Sequence, residues 1–93
     1  MHFEWDVSKA WRNLPKHGVS FSEAEKAFDD PHSVEGIDEA HSQHEVRQWL
    51  LGMSPKGRLL LVTFTERAER IRIITAWKAN LTEHELYENE KNR

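Results

Sequence analysis

Arginine dominates the residues of this chain that could act on a phosphate. Between residues 56 and 78 stand Lys56, Arg58, Arg67, Arg70, Arg72 and Lys78 against Glu66 and Glu69, a net +4. The 93-residue chain as a whole carries −3, so the remainder holds −7. A guanidinium fork matches phosphate oxygens, and Arg47, Arg58 and Arg72 are candidate clamps. The competing reading is a solvated sheet face whose arginines only keep an edge soluble. Arginine stays protonated at cellular pH and cannot take a proton from a hydroxyl. His17 and His41 are the candidates for that step, because imidazole titrates near ~6.5. His17, next to Gly18, could instead cap helix carbonyls. Glu45 is a candidate base, or a same-face partner of Arg47. Trp49 shares that face, as a stacking platform for a base or as packing. His41, His44, Asp38 and Glu45 lie close in sequence, but no H-E-x-x-H helix or cysteine accompanies them, and no metal site is expected.

These residues need a sheet to hold them. Leu59–Phe64 has no polar side and reads as a central strand covered on both faces. Arg70, Ile71, Arg72 and Ile73 alternate, which puts arginines on one face and isoleucines on the other. Upstream, residues 45–51 alternate as a half-exposed strand, and residues 32–37 are weakly strand-like. Residues 38–43 read as an acidic loop and residues 52–57 as a turn. At the N-terminus, residues 2–5 form a short candidate strand. Asp6 is placed as an N-cap, and Val7, Ala10, Trp11 and Leu14 follow as an apolar helical stripe. Pro15 predicts a stop or kink near Asn13, and Gly18 a left-handed helix end. Ser20 and Glu23 have capping-box spacing before Phe21, Ala24, Ala27 and Phe28. A last helix begins at Asn80 or Thr82, with Leu81 and Leu86 as a staple in the second register.

The order predicts one α+β domain over residues 1–93. It has an antiparallel sheet of three to four strands, two N-terminal helices and a C-terminal helix, all covering one face. Val7, Trp11, Leu14, Phe21, Phe28, Leu60, Val62, Ile71 and Ile73 are the predicted core. Hydrophobic content of 38%, with four Trp and four Phe, points to real burial, and the absence of cysteine excludes disulfides and thiolate chemistry. No apolar run nears the ~20 residues of a membrane span, and MHFEWD lacks a signal peptide's apolar core. A cytoplasmic protein without membrane association is expected.

Phe3-Glu4-Trp5-Asp6, Lys9, Asn13-Leu14, Lys16-His17-Gly18-Val19-Ser20-Phe21, Glu23-Ala24 and Phe28 together resemble the opening signature of BrnT-type toxins, the toxin halves of bacterial type II toxin–antitoxin pairs. The likeness continues through Asp38, His41, Glu45, Arg47, Gly52, Gly57-Arg58-Leu59, Thr65, residues 70–74, Ala76, Ala79, Glu83 and Tyr87. It implies a RelE-like fold and an endoribonuclease that arrests translation. It also implies a ribbon-helix-helix antitoxin that binds DNA. Cleavage would proceed through the RNA's own 2′-hydroxyl, without metal or other cofactor, on RNA that is free or on the ribosome. On this reading Arg72, Arg47, Glu45 and His17 are the catalytic candidates. Lys16, Arg58, Arg70, Trp77 and Lys78 are the RNA contacts. Two alternatives stand beside it: a degenerate toxin that keeps only antitoxin binding, and a non-catalytic nucleic-acid-binding domain.

The chain departs from the family pattern where Ile-Ser-Ala-Arg becomes Ile74-Thr75-Ala76-Trp77, and again at Pro15. Strict alternation places Trp77 with Ile71 and Ile73 in the core. A bulge after Ile74 would turn it to the arginine face instead.

Overall fold

The computed structural model describes residues 1–93. The apolar run lies at the centre of a five-stranded sheet, in β4 (Leu59–Arg67). Around it are β1 (His2–Trp5), β2 (Val34–Ile37), β3 (Gln48–Met53) and β5 (Arg70–Lys78), in the spatial order β1-β5-β4-β3-β2. The helices are α1 (Val7–His17), α2 (Phe21–Ala27) and α3 (Leu81–Lys91). Neighbours from β2 to β5 pair antiparallel, as short connections require. The expectation of a purely antiparallel sheet is corrected by β1, which pairs parallel with β5, His2 opposite Arg70 and Trp5 opposite Ile73. A parallel pair needs a long crossover, and the whole chain between β1 and β5 supplies it.

The expectation of helices on one face is also corrected. Leu50, Leu60, Val62, Phe64, Ile71, Ile73 and Ala76 meet α2 through Phe21, Ala24 and Ala27. Leu51, Leu59 and Leu61 lie on the other face under Tyr87 of α3. A central strand with no polar side requires this two-sided cover.

Capping follows the sequence closely. The Asp6 side chain accepts from the Lys9 N–H, and Ser20 from the Glu23 N–H. Gly18 closes α1 at φ 69°, a conformation open to glycine at no steric cost. Asn80, not Thr82, starts α3, with a reciprocal box to Glu83. Leu81 and Leu86 therefore stay exposed rather than stapled. The other half of the box expected at Ser20 does not form, because Glu23 turns inward to Ser54 and Arg58.

Pro15 does not end α1, which continues to His17. Nor does α1 bury its apolar stripe: Val7, Trp11 and Leu14 are 66%, 74% and 49% exposed. It docks instead through Asn13, whose amide pairs with the backbone of Ala76 in β5. β1 covers only Arg70–Ile73 of that edge, and Asn13 satisfies the strand beyond it. The predicted burial of Phe21, Leu60, Val62, Ile71 and Ile73 is observed, with Phe28 partly buried against the same core.

Candidate functional site

Directly paired residues share a sheet face, so the register decides which side chains can meet. Thr63 opposes Thr75 and Thr65 opposes Arg72, while Glu4 of β1 opposes Arg72 from the other side. Arg67 opposes Arg70. These residues lie on the face that carries Leu59 and Leu61, beyond the reach of α3. The result is an open, polar half-face: Thr63 and Thr75 join their hydroxyls at 2.6 Å, and the arginines extend from there toward the β4–β5 turn.

One carboxylate organises Arg70 and Arg72. Glu4 accepts from Arg72 Nη1 at 3.0 Å and from Arg70 Nη1 at 3.4 Å. The Arg72 hydrogen bond, ahead of an opposing desolvation effect and then of Arg70, holds the Glu4 carboxyl below its ordinary range. Glu45 is held by Arg67 through two bonds of 3.0 Å, and its carboxyl is likewise lowered, first by that contact. Arg47 and Arg72 add to the same field at Glu45, which places all three arginines about one carboxylate.

Arg47 enters the site from a loop, not from a strand. The strand expected over residues 45–51 begins only at Gln48, because Ser42 draws the preceding chain into a turn. Its hydroxyl accepts from the Arg47 N–H at 2.9 Å and donates to the Asp38 carbonyl at 2.6 Å. Thr65 anchors the same loop by donating to the Val46 carbonyl. The Arg47 side chain has no carboxylate within ion-pair distance, unlike Arg58, Arg67, Arg70 and Arg72. The expected Glu45–Arg47 pair is thus replaced by Glu45–Arg67.

The pairing slips between Thr63 and Phe64, leaving Ile74 as an extra residue in β5. Thr75 and Trp77 therefore turn to the arginine face, while Ala76 enters the core with Ile71 and Ile73. Trp77 is partly buried against the Leu51–Leu59–Leu61–Tyr87 cluster. Its ring lies 5.9 Å from that of His17 at the end of α1. Lys9, Arg12, Asn13, Lys16 and His17 line a groove of about 270 Å³ with Ile74 and Thr75. His17 and Lys16 thus border the open face across the bulged edge.

Three candidates fall elsewhere. Arg58 is engaged on the helical side by both carboxylate oxygens of Glu23 and by the Gly18 carbonyl at 3.0 Å. It ties the turn before β4 to the α1–α2 junction. Lys78 opposes Leu60 and so shares the face of the helical core. His41 is exposed, 2.9 Å from Asp38. Trp49 lies over Gly36 of β2, where a Cβ would come within 2.6 Å of the indole. It packs with Leu51 rather than standing free. No three His, Asp or Glu side chains converge as metal ligands would.

Sequence reasoning gave no chemical role to Glu4, or to Lys9 and Arg12. The alternation of His2 and Glu4 against Phe3 and Trp5 was visible, but its meaning depends on the pairing of β1 with β5.

The model of the family described as "Ribonuclease toxin, BrnT, of type II toxin-antitoxin system" matches residues 5–83. Among solved structures, the fold is similar to the 1.1 Å crystal structure of the Brucella abortus ribonuclease toxin BrnT, with 22% identity and a TM-score of 0.68. The likeness covers 86% of this chain and 97% of that one. No curated protein sequence matches.

Proposed function

The chain belongs to the BrnT family of ribonuclease toxins of type II toxin–antitoxin systems, and on that premise we propose that it cleaves RNA on its open arginine face. It is the toxin half of such a pair, and an antitoxin is its partner. The observation that carries the site is Arg47, an arginine without a carboxylate, held by a stitched loop beside Arg67 and Arg72.

Cleavage through the 2′-hydroxyl requires removal of the hydroxyl proton, stabilisation of the pentavalent phosphorus, and a proton for the leaving 5′-oxygen. Arg47 receives the scissile phosphate, and Arg72 joins it by exchanging part of its contact with Glu4 for phosphate oxygens. Arg70 and Lys16 hold neighbouring phosphates. Glu45, fixed by Arg67 and lowered in pKa, is a weak base that acts chiefly by orienting charge. His17 is the proton-transfer group, because histidine is the residue type that titrates near neutral pH. Trp77 stacks on a base beside it.

Translation arrest, a cytoplasmic site of action and a RelE-like mode of attack on messenger RNA belong to the same reading. So does an antitoxin of the ribbon-helix-helix type. The chain is induced alone in bacteria, and protein synthesis and RNA integrity are followed. Arg47→Ala and Arg72→Ala should fold, with melting points within a few degrees of the parent as exposed changes usually allow, and should lose growth arrest. A folded Arg72→Ala that arrests growth as strongly as the parent removes that residue from the site.

A second reading has a specific observation behind it. Trp77 replaces the arginine of the family pattern, and Arg72 is already satisfied by Glu4. A chain disarmed in this way would bind antitoxin without cutting RNA, and the parent would then cause no arrest at any expression level.

A further inference from the structure

Helix α1 is amphipathic, yet its apolar side is turned away from the sheet. At 100° per residue Asn13, Ala10 and His17 form the docking side, and Val7, Trp11 and Leu14 lie about a quarter turn away. Trp5, Ala10 and Phe21 continue that stripe inward, and with Ser20 and Ser22 they line an open groove of about 280 Å³. A tryptophan 74% exposed, between a valine and a leucine that are also exposed, is a contiguous apolar patch of the kind that marks a partner surface.

The polar side of the same helix is basic. Lys9, Arg12 and Lys16 have no carboxylate within ion-pair distance, although the chain as a whole is acidic. Their groove opens on Ile74 and Thr75, next to His17 and Trp77. An apolar stripe, an unpaired basic flank and the corner of the arginine face therefore follow one another across a single helix.

We propose that α1 is the seat of the antitoxin. The occupant is an amphipathic segment of about two to three helical turns, since the stripe from Val7 to Leu14 spans about 10 Å. Large apolar side chains at helical spacing enter the Trp5–Trp11–Phe21 groove, and carboxylates beside them meet Lys9, Arg12 and Lys16. A segment so placed lies across the His17–Trp77 corner and blocks RNA without contacting Arg47. Charge complementarity distinguishes this occupant from a second copy of the chain, whose α1 would bring the same three cations against themselves. The proposal rests on the toxin reading, and it locates the partner on a surface outside the catalytic residues.

The test uses the full chain and the product of the gene adjoining it, first established as the protein that relieves its growth arrest. Trp11→Asp and Leu14→Asp change exposed positions and should leave melting and growth arrest as in the parent. They should weaken binding to that protein by at least about tenfold and abolish the rescue. A milder Trp11→Ala covers the case in which a charge disturbs α1, and should weaken binding in the same direction. Full-strength binding and rescue by all three folded variants would overturn the proposal. So would an isolated parent that is dimeric, becomes monomeric on Trp11→Asp, and keeps its affinity for the protein. The parallel variant Arg72→Ala separates the two readings: it should lose toxicity and keep the antitoxin affinity. If the parent proves non-toxic, the product of the adjoining gene is tested for direct binding, and the affinity loss at Trp11 still decides the seat.

Discussion

Asn13 holds the first helix to the sheet with its amide alone, so Asn13→Ala tests how the site is assembled. The side chain donates to the Val19 carbonyl at 2.9 Å and to the Ala76 carbonyl at 2.8 Å, and accepts from the Ala76 N–H at 3.3 Å. Val19 and Ala76 are fully buried, and Asn13 itself is 5% exposed. Truncation leaves three backbone groups without partners in a place that water reaches poorly. Each unmade bond of this kind costs about 1 kcal/mol or more, and the long third contact is the weakest, for a total of about 3 kcal/mol. In a domain of this size about 1 kcal/mol shifts the melting point by roughly 4–8 °C, so a fall of about 15 °C is expected. Asn13→Asp should fall at least as far, because a carboxylate still accepts from Ala76 N–H but cannot donate to the two carbonyls. Thermal melts by circular dichroism measure this, and light scattering should show self-association as the edge of β5 is uncovered. A fall of less than about 4 °C in Asn13→Ala would show that α1 is held by something other than its amide.

Three further outcomes are expected. The Glu23 carboxyl is lowered by the Arg58 hydrogen bond, so its stabilisation is present above the ordinary glutamate value of 4.5 and lost as pH falls from there through its folded value. Glu23→Gln should cost about 3 kcal/mol at neutral pH and flatten the acid limb of a stability–pH curve, and an unchanged acid limb would refute the assignment. The chain's single tyrosine, Tyr87, is raised to about 12 by burial and then by Asp30, so absorbance should show no tyrosinate in the folded protein near pH 10; Tyr87→Phe, which loses a 2.5 Å bond to Asp30, should cost about 1–2 kcal/mol in a urea titration. Trp77→Arg should raise RNA cleavage by up to about a hundredfold at some cost in melting temperature, and a folded variant that cuts no faster shows that the missing arginine was never limiting.

What the sequence made legible was local. Capping residues name their own helix ends through side chains that reach three residues along, so Asp6, Ser20 and Asn80 could be read in isolation. The continuous run in β4 was legible as a central strand, but its two-sided cover also requires helices on both faces, a consequence the one-face reading missed. The parallel pairing of β1 was not legible, because four residues carry no direction and the partner lies almost seventy positions away. The apolar stripe of α1 was read correctly as a stripe and wrongly as core. Periodicity shows that Val7, Trp11 and Leu14 share a side, but not which side the helix docks. A single asparagine settled that, and an asparagine in a helix gives no such signal until its partner strand is known.

The site was harder to read for the same reason, and Ile74 shows why. Under strict alternation the arginines, the threonine pair and Trp77 could not all share a face. Arg72 and Trp77 are five positions apart, an odd separation. One extra residue makes the separation effectively even, and the strand then does two jobs. Its first half takes β1 along its edge, buries Ile71 and Ile73, and turns Arg70 and Arg72 toward Glu4. Its second half buries Ala76, gives its open edge to Asn13, and presents Thr75 and Trp77 on the arginine side. Bulges bend and twist the strand that carries them and often lie beside working sites, where they re-aim a side chain. Here the re-aimed position is the one at which the family pattern has an arginine and this chain has a tryptophan. The backbone that would present an arginine there is intact, and the substitution has changed only the side chain it presents. Growth arrest by Trp77→Arg therefore reads the chemistry of that one position on a scaffold already shaped to use it.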